Sequence, residues 1–371
     1  MLRRSMEQNK YTCLTLFINP TQFAPHEDLA SYPRTLDRDV QVLEGLVGEG
    51  YKKEWEARYA AARARLETPS AVKAPETTTT TTTTTIAAGE PLEAPLIVFA
   101  PSRETMYPLS TIPDEAFIDE TDDLTSAAEN TTTGKAVGVA KDGEVQPEEE
   151  ATSMLQDTSK QRGAFVRVKG WGDVLEGEAR PQFFQGVATV CTKLFNAVQP
   201  DHAYFGQKDI QQALVLKRML QDLLSDSPSA ENLHIIPTTR DATTGLALSS
   251  RNAYLTPRER TQYAPALFSA LGKAREALLN GRTADEAIKV ATEELKTTKR
   301  EAEREGVTVT LDHVDIFEPA TFRRLRGPLL RPASGGGSGE QRKAVVVGAV
   351  WVGRTRLIDN LLVGWEAGEE P

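Results

Sequence analysis

Residues 203–212 read Ala-Tyr-Phe-Gly-Gln-Lys-Asp-Ile-Gln-Gln, and the reading of this stretch decides the fold. A short apolar run ends at Gly206, and Lys208, Asp209 and two amides follow where a helix would begin. Working outward, Leu214, Leu216, Leu220 and Leu223 continue it as a helix. Upstream, Phe184, Val187, Cys191, Leu194 and Val198 repeat at helical spacing before the strand that ends at Phe205. Downstream, His234 to Thr238 reads as another strand, leading into Gly245-Leu-Ala-Leu-Ser-Ser-Arg-Asn252. Nearer the start, Thr12 to Asn19 and Leu96 to Ala100 read as strands, and Asp37 to Val47 places Val40, Leu43 and Val47 on one helical face. Strands alternating with helices imply an α/β fold with a Rossmann-like, doubly wound parallel sheet whose ligands lie beyond the carboxyl ends of its strands. Gln22, Gly206 and Ser249 all fall at such ends.

Two loops in this arrangement carry cations. Lys208 is a compact positive charge, and Ser249-Ser250-Arg251 sets two hydroxyls beside a guanidinium, a donor set suited to phosphate oxygens. Singly, a Gly-x-Lys-Asp turn is most simply an ordinary helix start, and Ser-Ser-Arg-Asn a capped turn. Together, on separate loops after separate strands, they can clamp a polyphosphate from two sides. A generic dinucleotide-binding module fits less well, because no Gly-x-Gly-x-x-Gly opens a helix and no Walker loop is present.

A third segment, Leu16-Phe-Ile-Asn-Pro-Thr-Gln-Phe23 followed by Asp28-Leu-Ala-Ser-Tyr-Pro-Arg-Thr-Leu36, joins the two loops. All three resemble the pantothenate synthetases (pantoate–beta-alanine ligases) of the nucleotidylyltransferase superfamily. The likeness extends to Val98-Phe-Ala-Pro-Ser102 with Met106-Tyr-Pro108, Leu175-Glu-Gly-Glu-Ala-Arg-Pro181, Val187-Ala-Thr-Val190 with Lys193-Leu-Phe-Asn196, Ala349-Val-Trp-Val-Gly353 and Arg356-Leu-Ile-Asp-Asn360. Two positions depart from the family pattern. Arg180-Pro-Gln-Phe-Phe184 stands where many members have Arg-Pro-Gly-His-Phe, and Gln207 stands for the commoner Glu.

The resemblance implies a two-step reaction. Pantoate carboxylate attacks the α-phosphorus of ATP, releasing pyrophosphate; the amine of beta-alanine then displaces AMP from pantoyl adenylate. Carried over residue by residue, Gly206, Gln207, Lys208, Asp209, Thr239, Leu248, Ser249, Ser250 and Arg251 bind ATP, with Lys208 and Arg251 as the catalytic cations and Thr239 acting through its backbone. Gln22 and Gln212 bind pantoate and beta-alanine. Mg2+ accompanies ATP, and the family implies a homodimer. Members also carry a His-x-Gly-His signature on a loop after the first strand. The histidines here are His26, His202, His234 and His313, and none stands in such a pair. Met1 to Asn9 looks like the last turns of the helix after that signature, so the expectation is a chain shortened at its start. The alternative function is then a catalytically inactive nucleotide-binding or dimerisation partner of a full-length enzyme.

At 371 residues the chain is long enough for two domains with cores of their own. Thr256-Pro-Arg-Glu259 is a helix start, with Thr as cap and Pro at the first position. A second helix over about Ala284 to Glu305 and strands Thr308 to Ile316 and Ala344 to Val352 follow. They predict a smaller α+β domain over 256–371, a lid in the family, after a nucleotide- and pantoate-binding domain over 1–255. Disordered inserts are expected at about 66–95, around the polythreonine Thr77 to Thr85, and at 109–160. A third insert, Gly327 to Gln341, reads as a flexible hairpin loop.

The net charge of −10 has a local origin. Between Asp114 and Asp157 there are thirteen Asp and Glu against Lys135 and Lys141 alone, so the acidity belongs to the second insert and carries no message about the site or nucleic acid. No apolar run of about 18 residues suggests a membrane helix. No apolar h-region follows the first arginines, so nothing reads as a secretory signal. Cys13 and Cys191 lie in apolar surroundings and read as buried thiols, which fits a reducing cytoplasm.

Overall fold

In a computed structural model, the described residues are 1–22, 43–45, 78–81, 84–85, 96–108, 163–329, 342–366, 369 and 371. The insert expected at 109–160 lies outside them, as does most of the one at 66–95. The chain divides into two compact units: one holds Met6–Arg167 and Arg180–Leu194, the other Met1–Ser5, Val168–Ala179 and Phe195–Pro371.

In the first unit, helix α1 (Leu2–Gln8), shared at its start with the other unit, leads into strand β1 (Thr12–Thr15). Two short strands, β2 (Glu44–Gly45) and β4 (Thr84–Thr85), pair in parallel. Between the latter two in sequence lies β3 (Thr78–Thr81), and β5 (Leu96–Ala100) follows. The sheet order is β1-β5-β3: β1 runs parallel to β5 with Thr12 beside Leu96, and β3 runs antiparallel with Thr78 beside Ala100. Leu96 and Val98, on one face of β5, are buried, as the alternation of an extended strand requires. The helix expected over Asp37 to Val47 falls outside the described residues except at 43–45, where Glu44 and Gly45 are strand rather than helix. Gly45 is itself a poor helix former, by about 1 kcal/mol relative to alanine. Helix α2 (Arg103–Met106) is capped by Ser102, whose side chain accepts from the Thr105 amide.

Besides the start of α1, the second unit holds helix α3 (Glu176–Ala179). Helix α4 (Phe183–Val198) belongs to the first unit up to Leu194 and realises the expected apolar repeat. Strand β6 (Ala203–Gly206), helix α5 (Ile210–Asp222) and strand β7 (Leu233–Ile236) form a β-α-β crossover. Their two strands pair in parallel and in step, from Ala203 beside Leu233 to Gly206 beside Ile236. β7 stops before Pro237, which has no N–H for a ladder. This confirms the α/β class.

Beyond residue 255, the Thr256 and Glu259 exchange is present as read: Thr256 N donates to Glu259 Oε2 at 2.8 Å and Glu259 N to Thr256 Oγ1 at 3.2 Å. The turn they cap is a π-helical one, Glu259–Tyr263, and the α-helix proper, α6, runs Ala266–Leu279. Helix α7 (Ala284–Arg304) packs with α6 on an antiparallel sheet of β8 (Val309–Phe317), β9 (Ala344–Val352) and β10 (Thr355–Val363), in the order β10-β9-β8. Leu267, Leu271, Leu295, Ile316, Val346 and Val350 close the core between them. Gly353, in the turn from β9 to β10, has φ +54, a conformation that favours glycine; the nearest neighbour of a Cβ there would be the movable carboxylate tip of Glu259.

Candidate active site

The in-step pairing of β6 with β7 brings Gly206 and Ile236 level, so the two cation-bearing loops leave the same end of one strand pair. Gln207–Asp209 is a single 3-10 turn after β6 and runs directly into α5. The first turn of α5 carries no acidic residue, although Asp209 stands at its N-cap, and Ile210 and Gln211 behind it are buried. Gly206 is extended, and a Cβ there would meet only Met1 Sδ at 4.0 Å. Neither φ nor packing demands glycine, and the open space beside it leaves room for a ligand. Lys208 Nζ lies 3.3 Å from Asp209 Oδ1, with the lysine side chain 18% exposed and the aspartate 49%. Gln212 is half-buried two residues into α5.

The second loop folds back on itself before it reaches its serines. Leu248 N donates to Thr239 O at 2.9 Å, Arg240 pairs with Ala247, and Asp241 N donates to Leu246 O. Asp241 ties the tip, its Oδ1 accepting from Thr244 N at 2.8 Å and Thr243 N at 3.1 Å, and these bonds hold its carboxyl below the usual range. Thr239 and Leu248, both exposed, close this hairpin. Ser249 then caps the 3-10 turn Ser250–Tyr254, its Oγ accepting from Arg251 N at 3.3 Å. Asn252, nearly buried, donates from Nδ2 to Ala247 O and so pins the turn to the hairpin. Ser250 is exposed and Arg251 half-buried; among the described residues the Arg251 guanidinium makes no ion pair. The turns carrying Lys208 and Arg251 both pack against β10.

The residues holding these loops were not singled out from the sequence. Asn360 on β10 donates to Gln207 O at 2.7 Å and Lys208 O at 2.9 Å, and accepts from Gln207 Nε2 at 3.1 Å. Arg240 grips Asp359 through two bonds of 2.6 and 2.8 Å. Gln211, buried beside the predicted Gln212, ties the 171–176 segment to α5 by bonds to Trp171 O, Val174 O and Glu176 N. Arg356 makes a two-pronged pair with Glu176 and a further bond to Asp312. Only the Arg356 to Asn360 motif hinted at this, and it named no partners.

Gln22 lies in the other unit, at the end of the 3-10 turn Pro20–Gln22 that follows β1. The turn is organised by Asn19, whose Oδ1 accepts from Thr21 N at 3.3 Å, Thr21 Oγ1 at 2.9 Å and the Tyr107 hydroxyl at 2.7 Å. Asn19 Nδ2 is buried and has no hydrogen-bond partner among the described residues. Lys193 donates to Met106 O and lies 5.0 Å over the Tyr107 ring, and burial lowers its pKa. Burial pushes the Tyr107 hydroxyl up to about 12. Of the histidines, His202 and His234 meet at 3.0 Å, at the amino-terminal side of the β6–β7 ladder and away from the loops.

The sequence profile of the pantoate-beta-alanine ligase family matches residues 1–362. The chain is 32% identical over 366 residues to the pantothenate synthetase of Moorella thermoacetica, covering 98% of this chain and 85% of that one. It is 31% identical over 363 residues to that of Herpetosiphon aurantiacus, covering 98% and 87%. Among solved structures it is similar to the pantothenate synthetase of Thermus thermophilus, at 28% identity and a TM-score of 0.58 over 97% of this chain and 86% of the other. Matches of this span give no support to the expectation of a shortened chain acting as an inactive partner, and that alternative is set aside. With the loop geometry, the profile match and the relatives in agreement, this chain belongs to the pantoate-beta-alanine ligase family and is, by family, a pantoate–beta-alanine ligase.

Proposed function

We propose that this protein condenses pantoate with beta-alanine at the expense of ATP, through pantoyl adenylate, with release of pyrophosphate and AMP. The observation that carries the reading is the pair of cation-bearing turns, Lys208 and Arg251, emerging level from two parallel strands and both seated on β10. Lys208 neutralises phosphate charge from one loop, and Arg251, which makes no ion pair among the described residues, offers its guanidinium from the other. Charge grows on the phosphoryl oxygens as the carboxylate attacks, and preorganised cations stabilise that transition state more than the ground state. Gly206, Gln207, Asp209, Leu248, Ser249 and Ser250 line the nucleotide, and the Thr239 backbone faces the adenine. Gln22 and Gln212 hold pantoate and beta-alanine, because an amide offers both a donor and an acceptor to hydroxyls and carboxylate.

Among the described residues no three His, Cys, Asp or Glu side chains gather as metal ligands. Magnesium belongs to this proposal as the counter-ion of the triphosphate substrate, which needs few protein ligands. Residues 256–371 form the lid domain of the proposal, the protein is a homodimer, and it works in the cytoplasm. The test is pantothenate and AMP formation by the purified chain and by Lys208→Ala and Arg251→Ala. Each substitution is expected to lower kcat about 100-fold or more, the usual effect of removing one such electrostatic donor. No AMP release by the unsubstituted chain, or full activity in both variants, would overturn the reading.

A further inference from the structure

Two consecutive residues of β10 grip both loops. Asn360 is 1% exposed, and its side-chain amide is used in full: both Nδ2 hydrogens go to the carbonyls of Gln207 and Lys208, and Oδ1 takes the Gln207 side chain. Asp359, also buried, accepts both arms of Arg240 and, through Oδ1, the amide of Asn360 at 2.8 Å. Arg240 continues inward to Gly245 O at 3.2 Å and lies 4.0 Å over the Phe268 ring, at the root of the hairpin that ends in Ser249 and Arg251. A lysine whose own carbonyl is held cannot drift along its turn, and a misplacement of about 1 Å at a reacting group costs on the order of 100-fold in rate.

We propose that Asn360 is the positioning residue of the Lys208 turn, and Asp359, through Arg240, that of the Ser249–Arg251 turn, so that phosphate geometry is set from the antiparallel sheet. This rests on the proposed reading of the two turns as the ATP site. The departure at Gln207 fits it, because a glutamine can donate to Asn360 Oδ1 whereas a glutamate carboxylate could not.

The purely structural alternative predicts only lost stability, so the test compares Asn360→Ala and Asp359→Asn with Leu357→Ala, a core truncation on the same strand that touches neither loop's hydrogen bonds. The readouts on the full chain are amide hydrogen exchange in peptides covering 206–212 and 239–251, kcat, the KM values for ATP and beta-alanine, and Tm. Asn360→Ala is expected to speed exchange about tenfold or more at 206–212 and to lower kcat/KM for ATP by tenfold to a hundredfold, with the KM for beta-alanine little changed. Asp359→Asn is expected to do so at 239–251. Leu357→Ala is expected to lower Tm at least as much while both loops and the kinetics stay as in the unsubstituted chain. Asn360→Ala and Asp359→Asn that lower Tm alone overturn the inference and leave the proposed function standing. If the unsubstituted chain makes no pantothenate, the proposed function falls, and the exchange data alone decide whether β10 holds the turns.

Discussion

At Asn19, one carbonyl oxygen takes three donors, and the hydroxyl of Tyr107 is the shortest of them at 2.7 Å. Tyr107 is 2% exposed, so burial raises its pKa from 10 to about 12. Between those values the unfolded chain releases a proton that the folded chain keeps; the unfolded state binds fewer protons, so stability falls as pH rises. The contribution is fully present below pH 10 and is lost through pH 12, on the order of 3 kcal/mol in all. Tyr107→Phe should cost about 1 kcal/mol at neutral pH and flatten this alkaline slope, as followed by urea unfolding from pH 8 to 12; a slope unchanged in the variant would exclude Tyr107 as its source. Gly186 makes a second residue-scale case. It is the point where α4 approaches the Thr21 turn, and a Cβ there would lie 1.8 Å from Thr21 Oγ1. Alanine normally favours a helix over glycine, but Gly186→Ala is expected to destabilise by about 1–3 kcal/mol through overpacking, with a lowered thermal midpoint as the readout.

At the scale of elements, boundaries were legible where a side chain writes them. Thr283 and Glu286 cap α7 reciprocally, Glu286 N donating to Thr283 Oγ1 at 3.3 Å and Thr283 N to Glu286 Oε2 at 2.8 Å. Thr283→Ala should cost about 1 kcal/mol, and circular dichroism melting tests it; an unchanged midpoint would mean the cap is redundant with the packing of α7. Periodicity found α4, α5, β5, β6 and β9, because a buried face must repeat at 3.6 or 2 residues. Lys208, Asp209 and the two amides marked where α5 would begin, and the helix does start at Ile210, directly after the 3-10 turn Gln207–Asp209. The expected strand Thr12 to Asn19 ends at Thr15, because Asn19 and Thr21 fold into the turn described above.

For the whole molecule, the −10 charge resides almost wholly in the segment from Asp114 to Asp157 and therefore says nothing of the loops that carry Lys208 and Arg251. The homodimer carried over from the family resemblance predicts sedimentation equilibrium at twice the mass of one chain. A single-chain mass that does not change with protein concentration would remove it.

The amino-acid sequence by itself determined the α/β alternation, the two cation-bearing loops and the family, because apolar periodicity, turn residues and short motifs are local. Only the tertiary structure decided that β6 and β7 lie level, that both loops rest on β10, and that Asn360 reaches Gln207 across 153 residues. A buried amide declares no partner in sequence. It acquires one when the antiparallel sheet forms and its donors must be satisfied away from water.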